Sequence, residues 1–496
     1  MIAPTPIEGG AESAAERFPA QPVAVPAVVL DEVREGGGTV DTGIAARAEA
    51  GRDWWPLSIG WAAAGMVPSR PAAVVRPSDA AQVAGVLRAC SDNLVPVTPA
   101  AGRSGVCGGA VPLFGGIALD CTGLVGDVHV DEVSLVAEVP AGTGGEDLED
   151  ALRAKGYTLG HWPQSIALST VGGWIACRGA GQYSTRYGKI EDMVCGLEVV
   201  LADGRVVRTG NHGPRASTGP DLTQLFTGSE GVLGVITRAW LRVHPLPRAE
   251  GRRAYGFTDF DDGIDACRKV LRRGATPAVM RLYDSTESQR NYEADCCVLV
   301  VLDEADEGLL EATLRVVEQE CASAERLDDE VVAHWLETRN DVSALAPLWR
   351  AGVVVDTAEI AAHWSQVAPL ATRVVGVLRD LEGTIAASVH LSHAYLDGAC
   401  LYFTFAGKQP EPRDERHWAE AYYRRAWDSL TAAVEAEGAA ISHHHGIGLN
   451  RARFLRGSLG DAHGVLVDLK RALDPAGVLN PGKLGLPSRF GEVPWP

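Results

Sequence analysis

The feature that most constrains this chain is a glycine-rich loop that directly follows a strand–helix–strand pattern. The loop reads Pro99-Ala100-Ala101-Gly102-Arg103-Ser104-Gly105-Val106-Cys107-Gly108-Gly109. Before it, Ala72–Val75 reads as a short strand, and Ser78 is placed to cap a helix with Asp79 in its first turn. Ala80, Val83, Ala84 and Leu87 follow at helical spacing, and Val95-Pro96-Val97 reads as the next strand. Glycines and small side chains let successive backbone N–H groups converge on an anion. Arg103 and Ser104 add donors. The loop fits neither the P-loop pattern nor G-x-G-x-x-G, and a tight structural turn would use the same residues.

Two further glycine segments follow. One is Ser169-Thr170-Val171-Gly172-Gly173-Trp174, continuing to Cys177-Arg178-Gly179-Ala180-Gly181. Its small residues suit close approach of a flat ring or a diphosphate, and equally suit helix–sheet packing. The other is Gly228-Ser229-Glu230-Gly231-Val232-Leu233-Gly234-Val235-Ile236-Thr237, which also reads as a turn into a strand. Strands are expected at Gly116–Asp120, Leu135–Val139, Leu197–Ala202 and Val232–Val243, with Asp203-Gly204 as a hairpin turn. Pro245 and Pro247 mark a boundary. Beyond them, amphipathic helices and Trp335, Trp349, Trp364, Trp418 and Trp427 point to a second domain covering a site on the first.

Charge narrows the partners. The chain of 496 residues carries a net charge of −19, which disfavours nucleic acid and anionic lipid. No apolar run reaches about 18 residues and no secretory signal pattern opens the chain, so a cytoplasmic protein without stable membrane insertion is expected. The 10 cysteines are scattered without a C-x-x-C pair and read as reduced, mostly buried side chains. Scarce lysine and abundant alanine suggest a GC-rich bacterial genome. A small-molecule substrate is the expected partner, and a homodimer is left open.

The sharpest feature of the second half is Ser442-His443-His444-His445-Gly446-Ile447-Gly448. In a strand, His443 and His445 share a face and His444 points away. In a helix, consecutive residues fan out. The three are therefore poor ligands for a single metal, and no metal is expected. A helix-entry loop with structural histidines would use the same residues, although a near-neutral pKa suits imidazole to proton transfer.

The order of the three glycine segments resembles the flavin-binding half of the vanillyl-alcohol oxidase/p-cresol methylhydroxylase superfamily over roughly residues 70 to 245. Tyr187–Val194 and Leu473-Asp474-Pro475-Ala476-Gly477-Val478-Leu479-Asn480-Pro481-Gly482-Lys483 are also similar to that family. The resemblance implies an α+β fold, with a two-subdomain FAD-binding domain of the PCMH type and an α/β cap. It places a mobile tail at 1–25, the FAD domain at 26–247, the cap at 248–437, and a returning segment at 438–496. It implies that Pro99–Gly105 cradle the FAD diphosphate. Gln164, Ser165, Ser169, Thr170, Gly172, Gly173, Cys177, Arg178, Gly179, Ala180, Glu230, Gly231, Gly234, Val235 and Ile236 would line the rest of the cofactor. No histidine lies between Pro99 and Gly109, so FAD bound without a covalent link is expected, with a link from elsewhere left open.

Within the superfamily, the 2-hydroxy-acid dehydrogenases carry Glu-His-Gly-Ile-Gly where this chain has His444-His445-Gly446-Ile447-Gly448, and a metal-binding histidine near Tyr402. Losing the carboxylate removes a hard ligand. The first loop, with Arg103 and Cys107, nevertheless looks more like theirs. Alkylglycerone-phosphate synthase (alkyldihydroxyacetonephosphate synthase) has the triple histidine and counterparts of Gly213–Asp221 and Asp397–Phe403. That likeness implies that Tyr402 exchanges a proton with substrate, beside His443, His444 and His445. Arg281 and Arg350 are similar to important arginines, the latter to one that binds a phosphate. Alone, each arginine reads equally as a surface ion pair. The expected function is an FAD-dependent oxidoreductase acting at flavin N5 on a small anionic substrate. Alternatives are the synthase itself, exchanging acyl for alkyl without net redox change, a D-2-hydroxy-acid dehydrogenase, or a non-catalytic flavin-binding protein.

Overall fold

The computed structural model describes residues 5–18, 22–210, 213–410 and 417–495. The strand Ala73–Arg76, the helix Ala80–Asp92 and the strand Val97–Ala100 form the expected unit. Ile117–Asp120 runs parallel between the two strands, and Thr39–Asp41 closes the sheet antiparallel. The helix cap differs by one residue from expectation. Extended Asp79, not Ser78, is the N-cap and accepts Gln82 N–H at 2.8 Å, while Ser78 N–H donates to the Gln82 side chain.

The second sheet of this half is antiparallel, in the order Val206–Gly210, Val194–Val200, Val235–Arg242, Val136–Pro140, His129–Asp131. Its hairpin turns at Asp203-Gly204, where Gly204 has φ +80. Val83, Leu87, Leu119, Val139, Leu197 and Val199 belong to one apolar cluster, so both sheets share a core. The C-terminal segment returns to it. Val97 N–H donates to Val478 O at 2.8 Å, and Asn480 N–H donates to Val97 O at 2.7 Å.

The cap is a seven-stranded antiparallel sheet. Thr384–Ala394, Gly398–Lys408 and Val353–His363 form one side of it. Leu401, Phe403 and Phe405 are buried in the cluster that also holds residues of the helices Trp364–Arg379 and Trp418–Ala436. Side chains alternate along a strand, so Tyr402 faces the other way.

The stretch expected as a mobile tail is packed where it is described. Ala15–Glu16 pairs with Met66–Val67, Phe18 is buried against Trp61 and Trp495, and Arg17 meets Glu420 at 2.6 Å. A two-residue strand and one aromatic anchor leave no periodicity to read. Residues 1–4 and 19–21 lie outside the described residues. The ten cysteines are free and most are buried. Among the described residues, no helix is long and apolar enough to cross a membrane.

Candidate active site

Strand register builds one side of the site. Tyr402 stands opposite Glu359 on one neighbour and opposite His390 on the other, so the three side chains form a row on one face. A bulge between Leu391 and His393 resets the alternation. His393 then pairs with Cys400 and joins the face of Tyr402, although it lies three residues from His390. The Tyr402 hydroxyl lies 3.0 Å from Thr357 Oγ1, its ring stacks on His390 at 4.9 Å, and His445 stands edge-on at 5.6 Å. Burial raises the Tyr402 phenol well above its ordinary value, so it is held protonated.

The triple histidine hangs from Glu359. That carboxylate accepts the N–H groups of His444 and His445 at 3.0 and 2.6 Å and the Ser442 hydroxyl at 3.0 Å. Its second oxygen pairs with Arg451 at 2.7 Å. Burial alone would raise the Glu359 pKa, but Arg451, the adjacent histidines and these donors hold it far below the carboxylate range. Burial pushes His443 and His445 down to about 4 and His444 well below its ordinary value, so all three imidazoles are neutral.

His445 turns toward Glu359, with Nδ1 3.8 Å from the carboxylate. The three consecutive histidines do not share one set of ligand atoms. His393 instead converges with His443 and His444, with ring nitrogens within 4.8 Å of one another, close enough to meet on one cation. Sequence reading did not weigh that set, because His393 lies fifty residues away in the chain.

Of the two arginines expected here, only Arg281 is brought in. Its Nη2 lies 2.6 Å from His390 Nε2, and His390 Nδ1 lies 2.8 Å from Glu287. Arg350 is elsewhere. Trp349 packs against Gly60, which turns the next residue outward, and Arg350 donates to Thr5 Oγ1 at 2.7 Å. Arg339, which sequence reading missed, lies beside Arg281. Both guanidiniums lie over the Trp335 ring, at 5.3 Å for Arg339 and 5.8 Å for Arg281. Neither has a carboxylate within ion-pair distance among the described residues. Burial, and to a lesser extent Arg281, lower the Arg339 pKa.

The three glycine segments meet. A Cβ on Gly102 would overlap the carbonyl oxygen of Leu168, and one on Gly231 would lie 3.1 Å from Pro99. Thr170 caps the helix Val171–Cys177, and Ser169 Oγ accepts the Trp174 indole at 2.7 Å. Ser169 N–H donates to Ser165 O, and Gly172 N–H to Ala141 O. Glu230 N–H donates to Ala176 O, while the Glu230 carboxylate accepts Ile447 and Gly448 N–H at 2.6 and 2.8 Å. The third segment therefore ties the glycine crevice to the histidine loop. Arg178 is turned aside onto Glu191 at 3.3 Å, and the Val235 and Ile236 side chains are in the core. Asn480 donates to Gly109 O and Glu230 O, and Lys483, its pKa pushed down to about 7 by burial, donates to Val111 O at 2.7 Å.

Residues 71–210 match a family model described as FAD binding domain, and residues 246–484 one described as FAD linked oxidases, C-terminal domain. The chain is 31% identical over 432 residues to the uncharacterised FAD-linked oxidoreductase YgcU of Escherichia coli O157:H7, covering 84% of this chain and 89% of YgcU. The chain belongs to the FAD-linked oxidase family. It is also 28% identical to the alkyldihydroxyacetonephosphate synthase of Trypanosoma brucei brucei, over 90% of this chain and 77% of the synthase. The fold matches a solved p-cresol methylhydroxylase with a TM-score of 0.71 at 17% identity, over 93% of this chain and 97% of that one. The α+β, PCMH-type architecture with a cap is thereby shown.

The residues of this flavoenzyme fit FAD. No backbone N–H of Ser104, Gly105, Val106 or Cys107 donates to a backbone carbonyl among the described residues, which leaves the donors a diphosphate needs. The glycine contacts above make the crevice too tight for side chains at Gly102. Besides Arg339, sequence reading missed Glu359, His390 and His393 as site residues. Glu359 had a signal, as one of two carboxylates, with Asp356, in the otherwise largely apolar strand Val353–His363.

Proposed function

We propose that this member of the family is an FAD-dependent oxidoreductase, with FAD held without a covalent bond, acting on a small anionic substrate beside Tyr402. Bound FAD would supply two-electron acceptance. The observation that carries the reading is the pairing of two unlike surfaces in one site. Among the described residues, Arg281 and Arg339 lack carboxylate partners, and they flank Trp335, which suits a phosphate or carboxylate. Arg281 reaches His390, and His390 stacks on Tyr402. An anion on the arginines would therefore bring its neighbouring carbon to the Tyr402 hydroxyl and the neutral imidazoles. The phenol is held protonated and the imidazoles unprotonated, the states needed to give and take a proton.

The test is an anaerobic screen of hydroxy acids, alcohols and amines, each with and without a phosphate, watching the flavin absorbance of the purified protein. Bleaching by an anionic compound is the expected result. Bleaching only by uncharged ones would refute the substrate class. Acid precipitation should leave the flavin in the supernatant. One specific observation favours a second reading, the synthase reaction: Tyr402 and the run His443–His445 are both present, in a chain 28% identical to a synthase. Alkyl exchange on an acylated ketotriose phosphate, without bleaching, would select it.

A further inference from the structure

Four hydrogen bonds run in series behind the triple histidine. The Ser184 hydroxyl lies 2.9 Å from His393 Nδ1 and 2.9 Å from the Tyr395 hydroxyl. The Tyr395 hydroxyl lies 3.0 Å from His443 Nε2, and His443 Nδ1 lies 2.9 Å from His444 Nδ1. From this geometry we infer that His393, Ser184, Tyr395, His443 and His444 form a proton wire that lets His444 act as a base without remaining charged.

The argument is one of counting. Each hydroxyl has one proton to donate, and each neutral imidazole carries one N–H. Every contact in the series needs one donor and one acceptor. Two arrangements satisfy all four contacts with a single orientation throughout. In the first, His444 Nδ1–H donates to His443, His443 Nε2–H to Tyr395, Tyr395 to Ser184, and Ser184 to His393 Nδ1. His444 Nε2 is then bare and His393 Nε2 carries a proton. In the second, every donation is reversed, His444 Nε2 carries the proton, and His393 Nε2 is bare.

Passing from the first to the second forms one N–H bond at His444 Nε2 and breaks one at His393 Nε2. The four protons between them each move one position. One proton enters at His444 Nε2 from the substrate, one leaves at His393 Nε2 to a water molecule in the site, and no group of the wire is charged when the step ends. Among the described residues, no side-chain hydrogen bond occupies His393 Nε2 or His444 Nε2, so neither end is taken by a protein partner; His393 is buried, so the water that takes its proton is one held inside the site. The His444 ring lies 6.1 Å from that of Tyr402, which puts one end at the proposed reaction site. Burial opposes a lasting imidazolium at these positions, and the wire removes the need for one. Ser184 and Tyr395 are positioning residues in this scheme. The use of the wire in catalysis rests on the proposed function; its existence does not.

The test reads tautomers directly. FAD-loaded protein labelled with 15N-histidine is studied by NMR at neutral pH, with the three resonance sets assigned through single His→Gln variants. The expected pattern is three neutral rings, with His393 and His443 in the same tautomer and His444 in the other. Ser184→Ala and Tyr395→Phe should each let His393 vary independently while His443 and His444 stay opposed. Flavin absorbance and thermal midpoint report whether each variant has folded, and the wild-type pattern stands without them. His393 and His443 in opposite tautomers would overturn the wire. So would bare Nδ1 atoms on both His443 and His444, the pattern of two nitrogens meeting on a bound cation. A wild-type protein with the expected tautomers that bleaches with no substrate would keep the wire and sink the proposed oxidoreductase. A reactive enzyme with the wrong tautomers would do the reverse.

Discussion

Arg451 and Glu359 form an ion pair at 2.7 Å with almost no solvent exposure on either side chain. Burying two charges is costly, and removing one partner leaves the other uncompensated. Here the carboxylate also anchors the backbone of His444 and His445. Glu359→Gln should therefore cost about 3–5 kcal/mol of stability and loosen the histidine loop. Denaturant unfolding checks the first effect and loss of turnover the second. The folded pKa of Glu359 is depressed, so its contribution is full above the unfolded value of about 4.3 and is lost only as pH falls below that. A variant as stable as the parent at pH 7 would refute the assignment.

The depressed imidazoles give a separate acid signature. His443 and His445 are held at about 4 by burial, against about 6.5 in an unfolded chain. Between those values the unfolded chain binds protons that the folded one does not. Stability supplied by the neutral rings is thus full above pH 6.5 and falls as pH drops through the window. Asp356, raised to about 6 by burial, acts in the opposite sense, so the comparison is best made between variants. His445→Gln should make the slope of stability against pH shallower by about 1 kcal/mol per unit between pH 6 and 4.5. An unchanged slope in urea titrations at stepped pH would show that His445 is not held neutral.

Tyr402 offers a cleaner separation of chemistry from folding. Among the described residues, its hydroxyl makes one hydrogen bond, to Thr357. Tyr402→Phe should lower the rate of flavin reduction by about 10²- to 10⁴-fold, the range for loss of a general acid or base, at a stability cost of about 1 kcal/mol. Single-turnover stopped-flow with the substrate found in the screen measures the first and thermal unfolding the second.

Much of this was legible in the chain and some of it was not. The strand–helix–strand unit and the hairpin at Asp203-Gly204 follow from local periodicity and turn chemistry, which sequence records directly. Tyr402 and the triple histidine stand out as residue types. The row Glu359–Tyr402–His390 depends on strand register, and the position of His393 depends on a bulge at Ser392. Neither is a local property. Arg350 misled for a related reason. Its neighbour Trp349 seeks the core against Gly60, and a helix turns the next residue away. Arg339 was overlooked because only tertiary packing brings Trp335 and Arg281 to it.

That exchange of arginines is testable. Arg339→Met should raise KM for an anionic substrate about 10- to 100-fold, matching the loss of a charged hydrogen bond worth about 1.5–3 kcal/mol. Arg350→Ala should leave KM within about twofold, since a surface contact contributes little. Steady-state kinetics on both variants decides it, and the reverse ranking would restore Arg350 to the site.

The first glycine loop permits a test of where the diphosphate lies. Gly102 and Gly105 differ in what a Cβ would meet. At Gly102 it would overlap the Leu168 carbonyl oxygen, whereas at Gly105 no described residue beyond its chain neighbours lies within 4 Å. Gly102→Ala must displace the second glycine segment, so both the apoprotein's stability and its FAD affinity should fall. Gly105→Ala meets none of the described residues beyond its chain neighbours. Its apoprotein should unfold at the parent temperature, while a diphosphate lodged against the loop would be crowded by the new methyl. Overpacking of that kind costs about 1–3 kcal/mol, which weakens FAD binding by about 10- to 100-fold. Thermal unfolding of the apoproteins and fluorescence titration with FAD separate the two effects. If Gly105→Ala binds FAD as tightly as the parent, the diphosphate does not sit against this face of the loop.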